Sequence, residues 1–100
     1  MGSLENLVSA LCADYSRRCE LIRSGTLSRR VETELRYLNA KITDATLELA
    51  EDFELDAFIT EIGSFTGYAK SSLTHLSETT YKKRKQEIRT NIARRLYLIE

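Results

Sequence analysis

One hundred residues make one domain with room for a single core, and a hydrophobic content of 42% is ordinary for a globular chain. Fifteen Lys and Arg balance fifteen Asp and Glu, which excludes a simple polycation, yet the balance is a sum of separated blocks. Residues 42–69 hold seven acids (Asp44, Glu48, Glu51, Asp52, Glu54, Asp56, Glu61) and no Lys or Arg; residues 81–95 hold seven bases against Glu87 alone, and residues 16–41 seven bases against three acids.

Proline is absent and glycine occurs four times, so few residues break a helix. The expectation is an all-α fold: a compact bundle of four to five helices over residues 1–100, with no internal repeat and no linker. Leu4, Leu7, Val8, Leu11, Tyr15 and Ile22 keep the spacing of one helical face, which predicts a first helix from a Ser3 cap to a stop at Ser24-Gly25. Cys12 and Cys19 lie about 10 Å apart in rise on that helix, too far for a disulfide within it. They read as small buried groups in a reducing compartment.

Thr26 or Ser28 opens a second helix. Its residues Val31, Leu35, Leu38, Ile42, Ala45 and Leu49 step by 4, 3, 4, 3, 4, a seam suited to packing another helix at a shallow angle. Residues 1–50 then close into a helical hairpin, or part of the seam also pairs with a second copy of the chain as a dimer.

Phe53, Leu55, Phe58, Ile59 and Ile62 predict a short third helix ending at Gly63 or Gly67, with the acids around it on a wet face. Tyr68, Ala69, Leu73 and Leu76 predict a further helix of two to three turns. Ser77 is an N-cap type and Glu78 suits the first turn of the last helix, whose stripe is Tyr81, Ile88, Ile92, Leu96 and Ile99. Short helix, turn at Leu76-Ser77 and long basic helix give residues 66–99 the order of a helix-turn-helix, whose second helix enters the major groove.

The residues of an enzyme do not assemble. His75 is the single histidine, at a predicted turn, and no glycine-rich loop cradles phosphate. Neither catalysis nor a cofactor nor a metal is expected. No apolar run approaches a membrane span, and the N-terminus lacks a signal-like stretch.

On a wheel of 100° per residue with Tyr81 at zero, Lys82, Lys83, Gln86, Arg89 and Thr90 fall between about 80° and 200°, on one outward face. Lys82, Lys83, Gln86 and Arg89 are therefore the residues expected to face DNA, with Gln86 suited to adenine and a cation to guanine. Thr79 and Thr80 in the first turn can read bases or hold phosphate. Arg84 and Lys85 border the apolar stripe, cover the core with their stems and reach sideways to phosphates, with Lys70 and Ser77 also flanking. Arg17, Arg18, Arg29 and Arg30 can flank the duplex or pair with the acidic block of a neighbour. The alternative is a helical adaptor or inhibitor that uses the acidic block 44–61 on a basic protein surface, RNA polymerase or another host or phage factor.

Several stretches carry a resemblance: Leu-Cys-x-Asp-Tyr-x-x-Arg (Leu11 to Arg18), Arg36-Tyr37-Leu38-Asn39-x-Lys41-Ile42, Gly-Tyr-Ala-Lys-Ser (Gly67 to Ser71), Ser-Glu-x-Thr-Tyr-Lys-x-Arg-Lys from Ser77, and Ile-Ala-x-x-Leu from Ile92. Together they resemble small proteins encoded in phages and integrated elements of Gram-positive bacteria. From Gly67 to Leu96 the chain is similar to the ArpU-like and sigma-factor region-four-like helix-turn-helix regulators of such phages. The resemblance implies a phage or prophage transcription factor acting in the cytoplasm of a bacterial host.

Overall fold

The computed structural model describes residues 2–99. Among them every regular element is helical: α1 Ser3–Ala13, α2 Tyr15–Ser24, α3 Arg29–Leu47, α4 Leu55–Gly63 and α5 Glu78–Arg95, with 3-10 turns at Asp52–Glu54 and Tyr68–Lys70. The all-α bundle is as expected, and no helix among the described residues is long and apolar enough to cross a membrane.

The first predicted helix is two. Asp14 (φ −92°, ψ 3°) bends the chain between α1 and α2, although Arg18 N still reaches Asp14 O at 3.0 Å. The bend sits where α4 arrives: a Cβ built on Gly63 would lie 2.7 Å from Ala13 N. Gly63 ends α4 as expected, but its missing side chain serves this backbone approach. Ser3 is the first helical residue and caps nothing; Gly2 occupies the cap. Val8, Ser9 and Cys12 form the buried face of α1, while Leu4 and Leu7 are 38% and 45% exposed.

α2 ends on Gly25 in the left-handed region (φ 70°), and Ser28 opens α3 by accepting from Val31 N at 3.4 Å. α2 folds back along α3 and is fastened by polar groups. Arg18, 7% exposed, donates through Nε to Asn39 Oδ1 at 2.6 Å and through a terminal nitrogen to Leu11 O. Asn39 Nδ2 also approaches Tyr15 O and Cys19 Sγ, both at 3.3 Å. Arg18 is therefore a buried fastener and cannot flank a duplex. Cys12 is buried, Cys19 half-buried, and both are free thiols. Burial pushes the Cys12 thiol up to about 12 despite the charges of Arg18 and Arg89 nearby.

The core joins Val8 and Cys12 of α1, Ile42 and Ala45 of α3, Phe58, Ile59 and Ile62 of α4, and Tyr81, Ile88, Ile92 and Ala93 of α5, with Leu73 from the loop. Phe53, expected on an apolar face, is 73% exposed and tilts its ring against His75.

The largest departure lies before α5. The predicted helix over Tyr68–Leu76 is a single 3-10 turn, and residues 71–77 are irregular. Side chains compete here for the amides a helix would use. Ser71 Oγ takes Leu73 N at 2.9 Å, Glu61 Oε2 takes Ser72 N at 3.0 Å, and Tyr68 OH donates to Leu76 O at 2.8 Å. The tight helix-turn-helix does not form: Ala69 is exposed, and α4 is the helix that precedes α5, across a long anchored loop.

Candidate nucleic-acid interface

Two buried carboxylates hold that loop. Glu61, 6% exposed, accepts from Ser72 N, from Ser72 Oγ at 2.7 Å and from Tyr81 OH at 2.7 Å. Burial would raise its carboxyl, but the hydrogen bonds from Ser71, Ser72 and Tyr81 outweigh it and hold it below the usual range. Glu54, 1% exposed, accepts from Glu51 N at 2.9 Å, meets His75 Nε2 at 2.6 Å and lies 3.5 Å from Arg84. Its carboxyl is likewise held down, burial being outweighed by the Glu51 amide, His75 and Arg84. The expectation of a wet acidic face fails for these two. Glu48 stays exposed but is tied to α5, paired with Arg95 and 2.5 Å from Asn91 Nδ2. Asp44, Glu51, Asp52 and Asp56 remain exposed.

The cations of α5 divide accordingly. Ser77 Oγ accepts from Thr80 N at 3.2 Å, so its hydroxyl serves the helix start. Lys85 is 7% exposed, its Nζ bonded to Thr66 O and lying 5.3 Å from the centre of the Tyr81 ring. Burial, together with the neighbouring Arg89 charge, lowers its pKa. A phosphate-flanking role for Lys85 is thereby overturned: its ammonium is inside. Arg84 is a half-buried partner of Glu54.

Lys82, Lys83, Gln86 and Thr79 are exposed on one side of the first three turns. Thr79, Thr80, Lys83 and Arg84 line one shallow depression together with Glu87, whereas Gln86 borders a second with Thr90, Asn91 and Arg94. Lys82 pairs with Glu78 at 2.6 Å, but both are well exposed, so the pair is worth only about 0.5 kcal/mol and yields readily to a phosphate. Lys83 has no ion-pair partner among the described residues. Arg89 stands half-buried at the edge of this face. Its Nε is buried without an acceptor, and its charge bears on Cys12, Tyr81 and Lys85. Lys70 is exposed on its 3-10 turn. Sequence reasoning missed Glu54, Glu61 and His75 as the clamp of the loop; the spacing of an acid along a helix does not say what the loop beyond will offer it.

Comparison of the chain with protein-family models, with curated proteins and with solved structures returns no match.

Proposed function

We propose that this protein binds double-stranded DNA through the outward face of the first three turns of α5, as a transcriptional regulator of phage or mobile-element origin. One observation carries the reading: Lys82, Lys83, Gln86 and Thr79 share an exposed face, while Glu54 and Glu61 are buried in internal bonds and only Glu78, paired with Lys82, and Glu87 are exposed acids on α5. A major groove about 12 Å wide admits a helix presented this way. Lys83 and Arg89 then neutralise phosphates on either side while Lys82 and Gln86 meet base edges. The loop over residues 64–77 takes the place of the first helix of a helix-turn-helix and sets the angle of α5.

Fluorescence anisotropy with a labelled duplex tests this. Affinity should fall on the order of tenfold or more between 50 and 200 mM salt. In the Lys82→Ala, Lys83→Ala double variant it should fall at every salt concentration, with the log–log slope flatter by about 1 for the phosphate contact of Lys83. Binding that ignores salt and both lysines, or no binding at the lowest salt, refutes the proposal.

A second reading rests on Phe53, 73% exposed between Glu51, Asp52 and Asp56. An aromatic knob ringed by acids suits a basic protein surface, such as that of a nucleic-acid enzyme. A stoichiometric protein partner recovered after nuclease treatment, and lost in Phe53→Ala, favours it.

A further inference from the structure

We infer that the α2–α3 arm is the surface through which two copies of this chain associate, independently of any nucleic-acid binding. The molecule is 43 Å long against 28 and 22 Å in its other dimensions, and α2 with the first half of α3 forms a two-helix arm.

Asn39 marks the side of α3 that faces α2, through its bonds to Arg18 and Tyr15. At 100° per residue, Val31, Leu38, Ile42 and Ala45 all lie about a quarter turn from that direction, in one strip. α5 runs antiparallel over part of it. Asn91 Nδ2 is 2.9 Å from Ala45 O, and Tyr97, past the helix end, shares a groove with Lys41. Ile42 and Ala45 are 0% exposed under this cover and Leu38 is partly buried, but Val31 is 41% exposed.

α2 adds to the same strip. Its α3-facing residues are Tyr15, Arg18, Cys19 and Ile22, and Leu21 lies about a quarter turn away in the same numerical sense. Antiparallel helices viewed end-on wind in opposite senses, so Leu21 and Val31 fall on one face of the arm. Leu21 is 37% exposed.

The charges beside the strip choose the occupant. Arg30 and Glu34, 90% and 67% exposed, flank it on the edge away from α2, where in the single chain they pair with each other at 3.5 Å, an exposed pair that exchanges readily for the same pair across two copies. A second copy laid antiparallel across residues 31–35 sets Val31 beside Leu35 of its partner and brings Arg30 of each chain to Glu34 of the other. The pattern is self-complementary under a two-fold axis, as an isologous interface requires, and the 4-3 stepping suits such a helix pair.

Sedimentation equilibrium of the full chain tests this, with circular dichroism as the control for folding. A dimer should form by about 100 µM, and Leu21→Glu or Val31→Glu, both at exposed positions, should weaken it at least tenfold with helicity unchanged. Arg30→Glu alone and Glu34→Arg alone should each weaken the dimer, and the two combined should restore it. A chain monomeric at that concentration, a dimer untouched by the apolar substitutions, or a charge exchange that fails to rescue overturns the inference.

Discussion

Replacing Glu61 probes the element that substitutes for the missing helix. Its two oxygens accept three hydrogen bonds, Ser72 N and Oγ on Oε2 and Tyr81 OH on Oε1, and the carboxylate itself, 6% exposed, has little water to replace them. Bonds to a charged acceptor contribute about 1.5–3 kcal/mol and neutral ones about 0.5–1.5 kcal/mol. Glu61→Gln keeps the shape but turns charge-assisted bonds into neutral ones and sets an amide against the Tyr81 hydroxyl. The recovered cost of burying a charge offsets part of the loss, leaving a destabilisation of about 2 kcal/mol in urea unfolding at pH 7. That corresponds to a midpoint lower by roughly 8–16 °C for a domain of this size. Glu61→Ala removes all three bonds, leaving Tyr81 OH only Thr66 O, and opens a cavity, so about 3 kcal/mol is expected. The sign with pH follows from a carboxyl held below its ordinary value of 4.5 in the folded state. Its contribution is present above that value and disappears as pH falls through the folded-state pKa. The gap between wild type and Glu61→Gln should therefore narrow as pH drops from about 5 toward 2. A variant as stable as wild type at pH 7, or a gap that does not change with acid, refutes the assignment of Glu61 as the charged clamp.

Gly63→Ala places a methyl 2.7 Å from Ala13 N, between two backbones that cannot yield separately, and should cost about 3 kcal/mol by thermal or chemical unfolding. Tyr97 holds a left-handed conformation (φ 59°) while 81% exposed, so Tyr97→Gly should gain about 0.5–1 kcal/mol in the same assay. With a disulfide reagent at pH 8, one thiol, Cys19, should react readily; Cys12, buried and pushed up to about 12, should react only as fast as the chain opens. Above pH 9 stability should decline, since Cys12 and Tyr81 are both raised to about 12: their contribution is whole below their ordinary values of 9.0 and 10.0 and is lost as pH rises toward about 12.

Local signals were legible where the physics is local. The absence of proline, the three-and-four spacing of apolar residues, the caps at Ser28 and Ser77 and the stop at Gly25 specify five stretches that can only be helices or their connections. The wheel also sorted α5, setting Arg84 and Lys85 at the border of the apolar stripe and Lys82 and Lys83 outward, because a helix fixes side-chain direction without reference to its neighbours, but it did not foresee the Lys85 ammonium inside. Burial of one acid among several depends on what approaches from a distance. Glu54 and Glu61 lie inside because a loop 11 to 21 residues further on supplies His75, Ser72 and the Tyr81 hydroxyl. The same bonds decide that Tyr68–Leu76 is a loop, against a sequence whose apolar spacing allows a helix. Likewise α1 and α2 part at Asp14, where the backbone around Gly63 arrives from another element. An all-helical chain and the outward face of its last helix follow from local spacing alone. Which charges are structural and which are left for a partner depends on the distances the fold closes between elements far apart in the chain.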